Sequence, residues 1–137
     1  MHNGSHTYFT NGTGDLYIQQ TVDDGDMIFQ CDDGSGGNET YFYLDGGASS
    51  GDPFTVFPDN AILTIGSGYD FRFFHNGTNN YIDSINGDWY LRQTADDKDM
   101  IFQCDDGSGG VETYFFLDGS LSGGNPVTVF PDNSNLA

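Results

Sequence analysis

The sequence predicts an all-β, repetitive and elongated fold, and three observations carry that prediction. Residues 1–60 lie over residues 74–133 at a constant offset of 73, without a gap, and most of the paired residues are identical. DMIFQCDDGSGG runs from Asp26 to Gly37 and returns letter for letter from Asp99 to Gly110. A fixed-period repeat of this kind favours a quasi-one-dimensional body in which each unit packs on its neighbour. Apolar residues do not recur at helical spacing, and Gly-rich breaks interrupt the chain every ten or so residues, so short strands fill the intervals.

Taken in order, the expected strands are Asp15–Gln20, Asp26–Cys31, Glu39–Leu44, Phe54–Phe57, Ala61–Ile65, Phe71–His75, Asp88–Gln93, Asp99–Cys104, Glu112–Leu117 and Val127–Phe130. Each is rich in β-branched and aromatic residues. Their separators, TGD, DDGSGG, DGGASSGDP, PDN, GSG and HNGT, are turn formers, in which Gly supplies positive φ and Asn or Asp bonds back to the backbone. The repeat sets two units, 1–73 and 74–137, the second cut short at its C-terminal end. That truncation suggests a segment of a longer repetitive protein.

Several strands are apolar on both faces, as in Tyr41-Phe42-Tyr43-Leu44, Phe71-Arg72-Phe73-Phe74 and Tyr114-Phe115-Phe116-Leu117. Strand side chains alternate between two faces, so such a run needs cover on both. A thin single-chain sheet offers one inside; the second cover is expected from another copy in an intertwined or closely packed homo-oligomer. The plainer alternative is a single β-sandwich with a few exposed aromatics.

Twenty-one acidic side chains face only Arg72, Arg92 and Lys98, for a net charge of −18. Nucleic acid and anionic membrane surfaces are therefore poor partners, since both are bound through Lys and Arg. Twelve Phe and eight Tyr set the chain apart from acidic disordered segments, which lack the apolar surface to fold. Cys31 and Cys104 occupy the same position of the two repeats, so they are expected to be reduced and packed as small apolar residues rather than joined. Neither an apolar h-region after Met1 nor a run near 18 apolar residues is present, so neither signal peptide nor membrane insertion is expected.

DFRFFHNGTNNYID followed by GDWYLRQTADDKDMIFQCDDGSGGVETYFFLDGS resembles the repeat modules of tail-fibre and related virion structural proteins of marine and freshwater bacteriophages. The matching positions are His75, Asn76, Gly77, Tyr81, Ile82, Gly87, Asp88, Asp99, Ile101, Phe102, Tyr114, Leu117, Asp118 and Gly119, with equivalents from His2 to Gly46. The resemblance covers essentially the whole chain and includes no enzymatic motif. It implies a homotrimeric fibre shaft or spike, a triple β-helix or β-solenoid-like structure, in a virion tail fibre or otherwise extracellular, which grips a glycan or protein receptor on the host surface. HNG stands here where HDG is common in that family, which removes a carboxylate at Asn3 and Asn76 but leaves the turn intact.

DDGSGG has the best claim to chemistry. Asp32 and Asp33, with Asp105 and Asp106, could give oxygen ligands to Ca²⁺, and a trimer would bring three copies together. The spacing is not that of an EF-hand, and the plain alternative is a solvated acidic turn. The segments around Asp23, Asp24 and Asp26, and around Asp96, Asp97 and Asp99, read the same way. Paired carboxylates for glycoside hydrolysis must face each other across a substrate, whereas consecutive Asp residues point apart. A GxSxG elbow is also missing, so no catalysis is expected. His2 and His75 precede NG and are expected as hydrogen-bonded turn residues, with a trimer-axis metal site as the alternative. Trp89 replaces the aliphatic Leu16 and is expected in a core rather than as a sugar-stacking platform.

The reading that results is a non-enzymatic structural fibre or adhesin segment. Its rivals are an extracellular structural filament of bacterial origin, built from the same modules, and a polysaccharide-degrading tailspike. The tailspike would require non-repeated carboxylates and aromatics along a groove. Most differences between the repeats, such as Gln19 to Arg92 and Gly25 to Lys98, look like surface drift.

Overall fold

Turn-rich sequence with short β-prone runs yields local meanders, because a tight turn closes an antiparallel pair with little loss of chain entropy. The structure, a computed structural model, describes residues 4–48, 51–121 and 123–132, and these contain strands and turns without any helix. Among the described residues nine strands form: β1 Met27–Asp32, β2 Asn38–Asp45, β3 Phe54–Val56, β4 Leu63–Ile65, β5 Phe71–His75, β6 Asn80–Ser84, β7 Met100–Asp105, β8 Val111–Asp118 and β9 Val127–Val129. They make three antiparallel sheets of consecutive strands, β1-β2-β3, β4-β5-β6 and β7-β8-β9. The chain divides into two compact units, Met1–Gly87, which carries the first two sheets, and Asp88–Ala137, which carries the third.

The sequence repeat is reproduced in the hydrogen-bonded register. Met27 faces Leu44 and Phe29 faces Phe42 in the first sheet; Met100 faces Leu117 and Phe102 faces Phe115 in the third. The register slips after Phe29 and again after Phe102, so even the irregularity is repeated. The outer pairs agree too, with Leu44 opposite Thr55 and Leu117 opposite Thr128. Identical local sequence has found the same local solution twice, as expected where turn type and the apolar pattern together fix register.

Three expectations need correction. Asp15–Gln20 and Asp88–Gln93 have strand composition but form no ladder, since β-propensity acts only where a neighbouring strand supplies hydrogen bonds. Asn80–Ser84, where Tyr81 and Ile82 are flanked by Asn, Asp and Ser, pairs with β5 from His75↔Asn80 to Phe71↔Ser84 because the four-residue HNGT-type turn delivers it there. Cys31 and Cys104 are free, as expected, but exposed rather than buried, because each lies near the end of a strand with no layer over it.

No described residue is buried, whether apolar or polar. What holds each sheet is edge pairing and ring stacking. Phe42 lies between Phe29 at 4.5 Å and Phe57 at 5.8 Å, measured between ring centroids. Phe115 lies likewise between Phe102 at 4.4 Å and Phe130 at 5.9 Å. Such pairs contribute about 0.5–1.5 kcal/mol each beyond area burial. A polar pair repeats beside them, Gln30 Nε2 donating to Thr40 Oγ1 and Gln103 Nε2 to Thr113 Oγ1, both at 3.1 Å.

Candidate functional site

The acidic turn is built by its own carboxylates. β1 ends at Asp32 and the chain must reverse into β2, which Gly34, Gly36 and Gly37 permit through φ values of 87°, 100° and 99°. Asp32 Oδ1 accepts the Gly34 N–H at 2.6 Å, and Asp33 Oδ1 accepts the Ser35 N–H at 2.8 Å and its hydroxyl at 2.7 Å. The Tyr41 hydroxyl donates to the Asp32 carbonyl at 3.2 Å. The β7–β8 turn copies this, with Asp105 on Gly107, Asp106 on the amide and hydroxyl of Ser108, and Tyr114 on the Asp105 carbonyl. The serine bonds favour the charged forms of Asp33 and Asp106. The Ser35 hydroxyl, and then its amide, hold Asp33 below the usual carboxylate range, and Ser108 does the same for Asp106.

Asp32 and Asp33 therefore share one turn and Asp105 and Asp106 share the other, each turn complete through internal hydrogen bonds. Ca²⁺ takes six to eight oxygens. Within one chain each turn offers two adjacent carboxylates whose Oδ1 atoms also accept turn hydrogens, so a full shell there would draw on backbone carbonyls, water or further copies of the turn. The other acidic segments have a structural task. Asp26 Oδ1 accepts the Gly46 N–H and Asp99 Oδ1 the Gly119 N–H, both at 3.0 Å, tying the start of one strand to the end of its partner. Asp118 is held below its ordinary range by the Leu121 and Ser120 amides.

His75 ends β5 with Nδ1 2.8 Å from Asp59 Oδ1. The Gly77 N–H lies 3.2 Å from the same nitrogen, and the two contacts give His75 the hydrogen-bonded turn role expected of it. Asn76 performs the turn itself, its Oδ1 accepting the amides of Thr78 and Asn79 at 3.0 and 2.8 Å. The amide oxygen thus supplies what a carboxylate would have supplied there. His2 lies outside the described residues. Trp89 stands 52% exposed rather than in a core, because its segment has no sheet over it.

The sheets also present apolar side chains to solvent. In the first sheet Phe29, Phe42 and Phe57 stand on one face, and the register places Ile28, Tyr43 and Val56 on the other. Ile28 is 56% exposed, Phe54 49% and Leu44 41%, so neither face is sealed. The third sheet repeats this with Ile101 at 55% and Leu117 at 42%. The chain exposes 11469 Å². Two independent globules of these unit sizes would together expose about 8,400 Å². The difference, on the order of 3,000 Å² per chain, is surface that compact bodies of these masses would bury.

One concavity also lies within the second unit, a groove of about 360 Å³ between residues 91–94 and the β8–β9 edge. Arg92, Lys98 and Asp118 are its charged lining residues, together with the apolar Leu91, Met100, Leu117 and Val127. Sequence reading missed it, although a signal was available: two of the three cations of an acidic chain sit six residues apart where the first repeat has Gln19 and Gly25. Comparison of the chain with family models, with curated proteins and with solved structures gives no match in any of the three.

Proposed function

We propose that this chain is a structural segment of a homotrimeric β-rich fibre or spike, of the kind that a phage tail uses to reach and grip its host. One observation carries the assembly: two-faced apolar sheets, repeated in sequence and register, on a chain with no buried residue among those described. Leaving such faces wet forfeits about 25 cal/mol per Å², and burial against further copies recovers it. The fibre reading draws its support from the tandem repeat and from the module resemblance through His75, Asn76, Gly77, Asp99, Leu117, Asp118 and Gly119. The carboxylates are tied into turns rather than opposed across a cleft, which favours a structural role over hydrolysis. Host glycans or proteins are the partner class this reading supplies.

Sedimentation equilibrium at micromolar concentration tests the assembly, with three times the 14.9 kDa of one chain as the expected mass. A folded monomer would refute it. Phe42→Asp and Phe115→Asp each place a charge in the ring stacks, at several kcal/mol, and are expected to shift the population to monomer.

A further inference from the structure

Of the three cations in this chain, two share the groove of the second unit, and neither Arg92 nor Lys98 forms an ion pair within the chain among the described residues. Twenty-one carboxylates are available to them. The Arg92 guanidinium instead lies 5.7 Å from the ring centroid of Tyr90, which limits where it points. We propose that this groove receives an acidic DDGSGG turn, Asp32–Gly37 or Asp105–Gly110, from a second copy of the chain, with Arg92 and Lys98 taking its carboxylates. The inference rests on the oligomeric reading above and specifies one contact within it.

Charge complementarity selects the occupant. A free anion approaching a body of −18 is repelled over the whole Debye length. A second copy is repelled too, but it brings apolar area that compensates, and the exposed surface of each chain leaves that area to be covered. Leu91, Met100, Leu117 and Val127 line the groove beside the cations, and the one carboxylate in its lining, Asp118, has Oδ1 engaged by the Ser120 and Leu121 amides and forms no ion pair with Arg92 or Lys98. The turns suit the groove. A Cβ added at Gly34, Gly36 or Gly37, or at Gly107, Gly109 or Gly110, would meet nothing within 4 Å, so the tips stand clear of their own chain. Asp32, Asp105 and Asp106 use Oδ1 for the turn, and no described donor of the chain takes their Oδ2. Gln19 and Gly25 give the first repeat no equivalent cations. The contact is therefore specific to one repeat, and it would fix which unit of one copy lies beside which turn of the next.

Lys98 is the only lysine, which makes a direct test simple. Nitrogen-15-labelled and unlabelled chains are co-refolded and treated with a zero-length carbodiimide, which joins the Lys98 amine to a touching carboxylate as an amide. Mass spectrometry is expected to find Lys98 coupled to Asp32, Asp33, Asp105 or Asp106 in peptides of mixed isotope. Arg92→Gln with Lys98→Gly restores the residues that the first repeat carries, so its fold is expected to persist by circular dichroism while the dissociation constant of assembly rises at least tenfold. An oligomer in which Lys98 couples only within its own chain or to other positions would overturn the proposal. So would assembly of the double variant at wild-type affinity, or a Lys98 shielded only by added oligogalacturonate. Each of those results leaves the oligomer standing, whereas a monomeric wild type removes the oligomer itself.

Discussion

Because the Ser35 hydroxyl and amide both donate to the Asp33 carboxylate, protonating that carboxylate weakens two bonds together. Its folded-state pKa lies below the ordinary 3.8, as do those of Asp106 and Asp118. The sign follows: these groups stabilise the fold above about pH 4, and that contribution disappears as the pH falls through the lowered values. Carboxyl-carbon NMR titration is expected to place all three midpoints below 3.8, and Ser35→Ala to return Asp33 toward it. Tyr69 offers a second residue-level test, since its φ of 59° puts a bulky side chain in the left-handed region. Tyr69→Gly removes roughly 1–2 kcal/mol of strain and adds about 0.5–1 kcal/mol of chain entropy to be lost. A small rise in melting temperature is expected. Turn chemistry of this sort was legible in the sequence, because an Asx turn depends on neighbours two or three positions away. The exposure of Cys31, Cys104 and Trp89 was not, because exposure is decided by whatever covers a residue from elsewhere in the chain.

Strands followed the same division. β1, β2, β5, β7 and β8 stand within a residue of their expected bounds, since each is flanked by a turn that delivers its partner. Asp15–Gln20 and Asp88–Gln93 carry equal propensity but receive no partner, and β6 gains one from the HNGT-type turn although Asn, Asp and Ser flank its Tyr81 and Ile82. The joint between strands is tight where Gly119 lies against the Lys98 backbone and Gly46 against Gly25, each too close for a Cβ. Gly119→Ala must therefore displace backbone, and a loss of about 1–3 kcal/mol is expected in thermal unfolding. Phe115→Ala removes both of its ring partners and is expected to lose about 1–3 kcal/mol from stacking.

Across the whole chain, net charge of −18 opposes compaction and association alike. Raising NaCl from 20 to 500 mM shortens the Debye length from roughly 20 Å to about 4 Å, and the melting temperature is expected to rise. Calcium chloride at matched ionic strength separates screening from ion binding: a rise beyond that of NaCl is expected only if Asp32, Asp33, Asp105 and Asp106 hold the ion. A specific calcium increment would show turns of different copies pooling their oxygens. The candidate acidic residues were legible as turn formers, but the Arg92–Lys98 groove was not. A groove depends on which backbone passes beside which, and two substitutions six residues apart carry no such information.

The repeated register has a consequence for how the chain reaches its fold. β1 and β7 are both MIFQCD, and β2 differs from β8 at only two positions, so β1 could pair with β8 almost as well as with β2. What separates the outcomes is the closing loop, residues 33–37 in one case and 33–110 in the other. Loop-closure entropy favours the short one by about 2.4 kcal/mol, roughly sixtyfold. That margin is set by the brevity of DDGSGG rather than by any side-chain contact. A few residues inserted into that turn would narrow it, and at high local concentration strands of neighbouring copies would begin to compete for the same partner. The acidic turn is thus also the proofreading element of the fold, keeping two nearly interchangeable hairpins from exchanging halves.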